Sequence, residues 1–415
     1  KTTNFDRLVN EGLSFTNAYT SQAICAPSRS QLYTGLFPMK NGCFANHLPV
    51  RNIKDINDFM SELGYDVVLA GKGHIKPNYV FNWTRYFPTN SDRLIPIKKV
   101  EHYIAGSQKP LCIIFSSDLP HGPYPKSSDY NNKPLDYDPS SKTISAKIGN
   151  HKAGYYHNIE EDNNQLGRVL NMLETISDMD ESVFIYISDH GLKGKWSVRE
   201  TGLKIPMVFR WPNVIPPNTT NDKLVSIVDI LPTIIEISGG EKIENLDGES
   251  LMPILSNTNI PFRDYIFGIA TRQNIQKCYV FPSRSVRDKR YKYIVNFNAK
   301  EKVQNNLGSN INVNYFIERG ANKFANVPFE ELYDLEVDPY EHVNLAKDNS
   351  FLPIKQKLSS VLRDWMINQN DVLIQHKMPL IKPTLHPLDR PSKWNNPKRE
   401  FQFTLSSTEY IPTHY

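Results

Sequence analysis

The sequence predicts an α/β protein, with a mainly parallel central sheet sandwiched by helices and a smaller C-terminal α+β domain containing an antiparallel sheet. Three observations predict it. Short apolar runs end abruptly in polar residues, amphipathic helical patterns separate those runs, and beyond about residue 260 the pattern changes to closely spaced short strands followed by one long helix. Strands buried on both faces read as near-continuous apolar runs, and such sheets gather ligands at the carboxyl ends of their strands.

The first run, 67–70, follows a helical pattern over 56–63 and delivers Gly71-Lys72-Gly73-His74 at its end. The second, 111–115, delivers Ser116 to His121, and the third, 183–187, delivers Ser188-Asp189-His190 after a helical pattern over 163–176. Asp229-Ile230-Leu231-Pro232-Thr233 opens another helix, with Pro and Thr in its first turn, and Gly239-Gly240 closes it. Beyond 260, the stretches 265–268, 280–286, 291–297 and 331–335 read as short antiparallel strands, and 351–368 as one amphipathic helix. Proline at 379, 383, 387, 391, 397 and 412 predicts an extended tail without regular structure. The expected units are 1–259, 260–375 and a 376–415 tail.

Composition narrows the function. A chain of 415 residues with 39% hydrophobic and 22% charged residues is an ordinary globular protein, neither collagenous nor disordered. Its 48 basic and 44 acidic residues leave a charge of only +4, too even to predict nucleic-acid binding. No stretch has the roughly 20 apolar residues of a membrane span. Four scattered cysteines, Cys25, Cys43, Cys112 and Cys278, make neither a disulfide framework nor a zinc cluster.

The sharpest signal is Cys25-Ala26-Pro27-Ser28-Arg29, with Thr34-Gly35 following; a second is Gly64 to His74, ending in Gly71-Lys72-Gly73-His74. Alone, the first reads equally well as a buried thiol ahead of a Pro-initiated helix. Together, in this order, the two strings resemble the two signatures of the formylglycine-dependent (type I) sulfatases, members of the alkaline phosphatase-like superfamily. The resemblance extends from Asn4-Phe5-Asp6-Arg7-Leu8 through Asp189-His190-Gly191 and Asp229 to Thr233, and on to Glu331-Leu332-Tyr333-Asp334-Leu335 and Asp338-Pro339. Leu36 after Thr34-Gly35, and Pro282 to Arg287, are most similar to the branch containing heparan N-sulfatase (sulfamidase) and bacterial polysaccharide sulfatases.

The resemblance implies a sulfuric ester hydrolase in which Cys25 is oxidised by a separate maturing enzyme to formylglycine, with one calcium ion per chain. One hydroxyl of the hydrated aldehyde attacks sulfur and the other releases sulfate. A sulfate ester repels an anionic attacker, so the site needs cations around a good nucleophile. The same resemblance gives Arg29 the task of steadying the hydrate, Lys72 and Lys195 that of binding sulfate oxygens, His74 that of base and His121 that of acid to the leaving group. Asp189, His190 and residue 25 join the metal site. Read as residues alone, Lys72 and His74 could be a solvated loop, His121 a capping histidine, and Lys195 a surface lysine beside Lys193. His47 and Arg272 are candidates for gripping a sugar.

An Asp-Asp pair ending the family's first strand, the remaining metal ligands, belongs upstream of Asn4. Either the sequence is a portion of a longer chain, or the metal site is incomplete and the protein inactive; we expect the former, with the α/β domain lacking its first strand here and a signal peptide in the same missing part. A secreted, periplasmic or lysosomal location goes with a sulfated carbohydrate substrate, and the sequons at Asn82 and Asn218 permit glycosylation in a eukaryotic secretory route. Two rival functions remain: a phosphonate monoester or phosphodiester hydrolase of the same superfamily, and a non-catalytic glycan-binding homologue in which Cys25 stays a thiol.

Overall fold

The computed structural model describes residues 2–46, 48–75, 80–125, 149–176, 179–191, 194–256, 259–271, 273–274, 279–297, 299, 301, 324–375, 377–379, 383–384, 400–401 and 410–412. Strands β1 (Leu13–Tyr19), β2 (Asp66–Gly71), β3 (Arg85–Pro88), β4 (Leu111–Ser116), β5 (Phe184–Ile187), β6 (Lys204–Arg210) and β7 (Thr219–Ser226) build two sheets. Their orders are β3-β2-β4 and β5-β6-β1-β7. β2 is parallel to β3 and β4, and β1 is parallel to β7, whereas β6 runs against β1 and β5. β4 and β5 end their sheets, and their apolar residues are only half-buried, while β2 between two partners is buried from Val67 to Gly71.

Helices α1 (Thr3–Glu11), α2 (Cys25–Thr34), α3 (Pro38–Asn41), α4 (Ile56–Glu62), α5 (Ile97–Gly106), α6 (Gly149–Ile176), α7 (Glu200–Leu203), α8 (Ile230–Ile237) and α9 (Met252–Leu255) accompany these strands. Among the described residues no helix is long and apolar enough to cross a membrane. α4 starts where it does because Asp55 caps it, accepting from Asn57 N at 2.7 Å, while Asp58 accepts from Asp55 N at 2.9 Å. α2 stops at Gly35, whose φ of 63° suits glycine and whose N–H closes on Gln31 O at 2.9 Å.

β1 is not predicted by the sequence, and the reason is physical. Its ladder slips between Phe15 and Ala18, a bulge that breaks the alternation a strand should display. Leu13, Phe15 and Ala18 are nevertheless buried with Ile205, Met207, Phe209, Val225 and Ile230. Each large side chain removed from water contributes about 1.5–3 kcal/mol, so this core fixes β1 and the loop it feeds into α2.

The later part contains β8 (Ile266–Ala270), β9 (Gln273–Asn274), β10 (Tyr279–Val280), β11 (Ser283–Arg287), β12 (Tyr291–Asn296) and β13 (Glu330–Asp334). β13-β12-β11-β8 is an antiparallel sheet. Helix α10 (Leu352–Asn368) lays Leu358, Leu362, Trp365 and Met366 on it, in a core that also takes in Phe37 and Met39 from the segment after α2. The tail differs from the expectation of a purely extended segment. β14 (Lys377–Pro379) pairs with β17 (Tyr410–Pro412), and β15 (Pro383–Thr384) with β16 (Glu400–Phe401). Two- and three-residue ladders need few N–H donors, so proline does not exclude them.

Candidate active site

Cys25 is the first residue of α2, where the free N–H groups and the helix dipole favour an anion. The chain enters the helix from β1 through 20–24, and Ala26 N is held by the Asn46 side chain at 3.1 Å. The Cys25 side chain is 2% exposed. Its Sγ lies 3.6 Å from His190 Nε2 and 3.7 Å from Lys195 Nζ. Burial pushes this thiol up, but hydrogen bonds from His190 and His74, with the charge of Lys195 opposing that of Asp189, bring it down to about 5. The groups around position 25 thus favour a negative charge there. Cys43 and Cys112, where burial dominates, go the other way, to about 12.

Asp189 and His190 follow β5. Burial raises the Asp189 carboxyl, yet Arg29, His190, Lys72 and Lys195 outweigh it and hold the group below its ordinary value. Arg29 lies one turn into α2, its Nε 3.5 Å from Asp189 Oδ2, buried and without a hydrogen-bond acceptor. His190 Nδ1 donates to Gly191 O at 2.8 Å, which leaves Nε2 to face Cys25 and, at 3.7 Å, Asp189 Oδ1. Burial lowers the His190 pKa, but its contacts with Cys25 and Asp189 raise it above the ordinary value.

The ligand atoms of Cys25, Asp189 and His190 lie within 4.8 Å of one another, a spacing that one cation can bridge. The donor set fits one side of a calcium shell. The Asp189 carboxylate is a hard donor, as two oxygens on an oxidised residue 25 would be, and the imidazole is a softer one, whereas calcium takes 6–8 oxygens. Further ligands must come from groups other than these three.

Lys72 and His74 leave the end of β2. Lys72 O accepts from Ser116 Oγ at 2.7 Å, Ser116 Oγ accepts from Arg29, and Lys72 Nζ pairs with Asp118 at 2.8 Å. Arg93 holds the other oxygen of Asp118 at 2.7 Å and donates to His121 O at 2.6 Å and Pro123 O at 3.3 Å. One arginine thus ties the Lys72 partner to the loop of His121, which is exposed with Nδ1 bonded to Gly122 O at 2.7 Å. Asp118 and Arg93 are the site residues that the sequence did not announce. Asp118 sits just past β4, where strand-end logic could have found it; nothing in sequence links Arg93 to it. His47 and Arg272 lie outside the described residues.

Backbone strain gathers here. Among the described residues eight other than glycine have positive φ; four are asparagine, which tolerates it, and three of the rest are His74, Arg93 and Trp196. The loop carrying Lys195 is clamped from behind. Gly194 and Gly202 pack backbone to backbone, with no room for a Cβ on either. Glu200, two residues before Gly202, is buried among Tyr19 (2.8 Å), Arg287 (2.9 Å) and Lys292 (3.0 Å), and Lys292 also reaches Glu341 at 3.1 Å. The antiparallel sheet, through β11 and β12, therefore braces the loop that faces Cys25.

Residues 1–240 match the sulfatase family, and residues 188–307 match the family described as N-sulphoglucosamine sulphohydrolase, C-terminal. An ulvan-active sulfatase of Formosa agariphila is 47% identical over 391 residues, covering 91% of this chain and 78% of its own length. Human N-sulphoglucosamine sulphohydrolase is 23% identical, covering 89% of this chain and 86% of its own. A solved structure of a protein in complex with its substrate D-glucosamine-2-N,6-O-disulfate superposes with a TM-score of 0.73 at 19% identity, over 89% of this chain and 93% of that one, which establishes a shared fold. With more than half its length inside the family match and a relative at 47% identity, this chain belongs to the sulfatase family.

Proposed function

We propose that the chain hydrolyses sulfate esters of a sulfated polysaccharide, using residue 25 oxidised from cysteine to formylglycine by a maturing enzyme. The observation that carries this reading is Cys25 at a helix N-terminus with Lys195, His190 and the Arg29–Asp189 pair around it. The hydrated aldehyde supplies two hydroxyls: one gives up its proton to solvent and forms the bond to sulfur as the S–O bond to the sugar breaks, the other, once deprotonated, expels sulfate by restoring C=O, and water then rehydrates the aldehyde. Arg29 and the α2 N-terminus hold residue 25 and its developing charge. Lys195 and Lys72 bind sulfate oxygens, Lys72 exchanging part of its pairing with Asp118 for the substrate. His121, on the loop fixed by Arg93, gives its proton to the departing sugar oxygen, and His74 takes the proton whose loss releases sulfate. Asp189 and His190 would hold calcium, which would supply Lewis-acid stabilisation of the sulfate's charge.

The 47% identical relative makes ulvan the first polymer to assay, and the match to the N-sulphoglucosamine sulphohydrolase C-terminal family makes N-sulfated glucosamine the second. A secreted, periplasmic or lysosomal location suits either. The test is release of inorganic sulfate from ulvan oligosaccharides and from N-sulfoglucosamine by protein matured in a competent host. O-sulfate release supports the ester reading; release only from the N-sulfate makes the chain a sulfamidase. Faster hydrolysis of aryl phosphonate or phosphodiesters than of any sulfate overturns the proposal.

A further inference from the structure

Arg93 has a φ of 72°, in the left-handed region, a conformation that persists only where the surroundings over-determine it. Here they do. Arg93 N donates to Asn90 O at 3.0 Å, Asn90 N to Leu94 O at 2.9 Å, and Leu94 N to Asp92 Oδ1 at 2.9 Å. This tight turn presents the guanidinium to the loop that follows β4. Its Nε donates to Asp118 Oδ2 at 2.7 Å, one terminal nitrogen to Asp118 O at 3.2 Å and to His121 O at 2.6 Å, and the other to Pro123 O at 3.3 Å. A rigid planar fork holds such a set of acceptors together, which the point charge of a lysine does not.

His121 itself is exposed, and its Nδ1 donates to Gly122 O at 2.7 Å, which leaves Nε2 to carry a transferred proton. An exposed imidazole is not held by packing, so its backbone sets where Nε2 stands. Helix α6 fastens the loop from one side: Ser117 Oγ accepts from Gln165 Nε2 at 2.9 Å, and His121 O accepts from Asn158 Nδ2 at 3.2 Å. Arg93 spans the loop from Asp118 to Pro123. A positioned acid contributes about 10²–10⁴-fold to a rate, and a displacement of about 1 Å can remove about a hundredfold.

We propose that Arg93 is the positioning residue for protonation of the leaving group: its clamp on Asp118, His121 and Pro123 holds His121 Nε2 at the departing sugar oxygen. The proposal rests on the sulfatase reading above and on the acid role given there to His121. Asp118 offers one oxygen to Arg93 and the other to Lys72, so the same clamp keeps the acid in register with the lysine that binds sulfate. The consequence is selective. A sugar oxygen needs a proton to depart, whereas 4-nitrophenol is acidic enough to leave as its anion, so loosening the clamp harms the first reaction and spares the second.

The test compares kcat/KM for a sulfated ulvan oligosaccharide and for 4-nitrophenyl sulfate in matured wild type, Arg93→Ala, Arg93→Lys, His121→Ala and the Arg93→Ala/His121→Ala double variant. Arg93→Ala lowers the oligosaccharide value about a hundredfold and the aryl value by no more than about threefold. Arg93→Lys, which keeps a charge beside Asp118 without the fork, shows the same selective loss to a smaller extent. The double variant is no slower on the oligosaccharide than His121→Ala, because Arg93 acts through that histidine. Equal losses on the two substrates in either Arg93 variant, or a double variant that loses the product of the single losses, overturns the proposal. Hydrogen exchange over 117–123 reads the clamp without turnover and is faster in Arg93→Ala than in wild type; unchanged exchange there also overturns it. Faster exchange in Arg93→Ala, with a wild type that releases no sulfate from either substrate, overturns the hydrolase reading and not the clamp.

Discussion

Glu200→Gln removes one charge from the brace behind the Lys195 loop while keeping the shape of the side chain. In the wild type the carboxylate touches Tyr19, Arg287 and Lys292, and Lys292 is 1% exposed, so the variant leaves buried cations short of a partner. Burial pushes the Glu200 carboxyl up, but the charges of Lys292 and Arg287, with hydrogen bonds from Lys292 and Tyr19, outweigh it and lower it from 4.5 to about 2. That difference corresponds to about 3 kcal/mol of stability, comparable to the about 3–5 kcal/mol lost when a buried pair is broken from one side. Because the folded value is the lower one, the contribution is complete above the ordinary glutamate range and fades as pH falls from 4.5 toward about 2. Denaturant unfolding followed by tryptophan fluorescence should place the variant about 3 kcal/mol below wild type at pH 7, the gap narrowing by roughly half at pH 3. A gap under about 1 kcal/mol at pH 7, or one that does not narrow in acid, would refute the reasoning.

Two further outcomes follow from the site. Lys72→Ala should cut kcat/KM for a sulfate ester by about a thousandfold while changing unfolding free energy by no more than about 1 kcal/mol. Asp118 keeps Arg93 in that variant, so parallel collapse of activity and stability would deny Lys72 its role. Calcium at about 100 times its dissociation constant should raise unfolding free energy by about 2.7 kcal/mol, with EGTA reversing the gain and Asp189→Asn abolishing it. An identical calcium response in Asp189→Asn, measured by thermal unfolding, would place the ion elsewhere.

The parts of the fold legible in the sequence are those where one local rule decides. β2, β4 and β5 announce themselves as apolar runs, and α8 by its first turn and closing glycines, because burial and capping leave marks on consecutive residues. β1 leaves no such mark, its alternation broken by the bulge, and β7 opens on the polar Thr219-Thr220-Asn221-Asp222, which leaves none either. The same division holds at the site. Cys25, Arg29, Lys72 and His74 lie in compact strings, whereas Arg93 reaches Asp118 across 25 positions and Glu200 reaches Lys292 across 92. Contacts made only by folding, between residues with no shared periodicity, cannot be read from either partner alone.

One experiment bears most directly on the chemistry at residue 25: peptide mass spectrometry of the segment containing it, on protein that is releasing sulfate from its substrate. Replacement of the thiol by an aldehyde lowers that peptide by about 18 Da, and the converted fraction should match the fraction of molecules that turn over. Full turnover by molecules whose Cys25 still carries its sulfur would contradict everything proposed for this cleft.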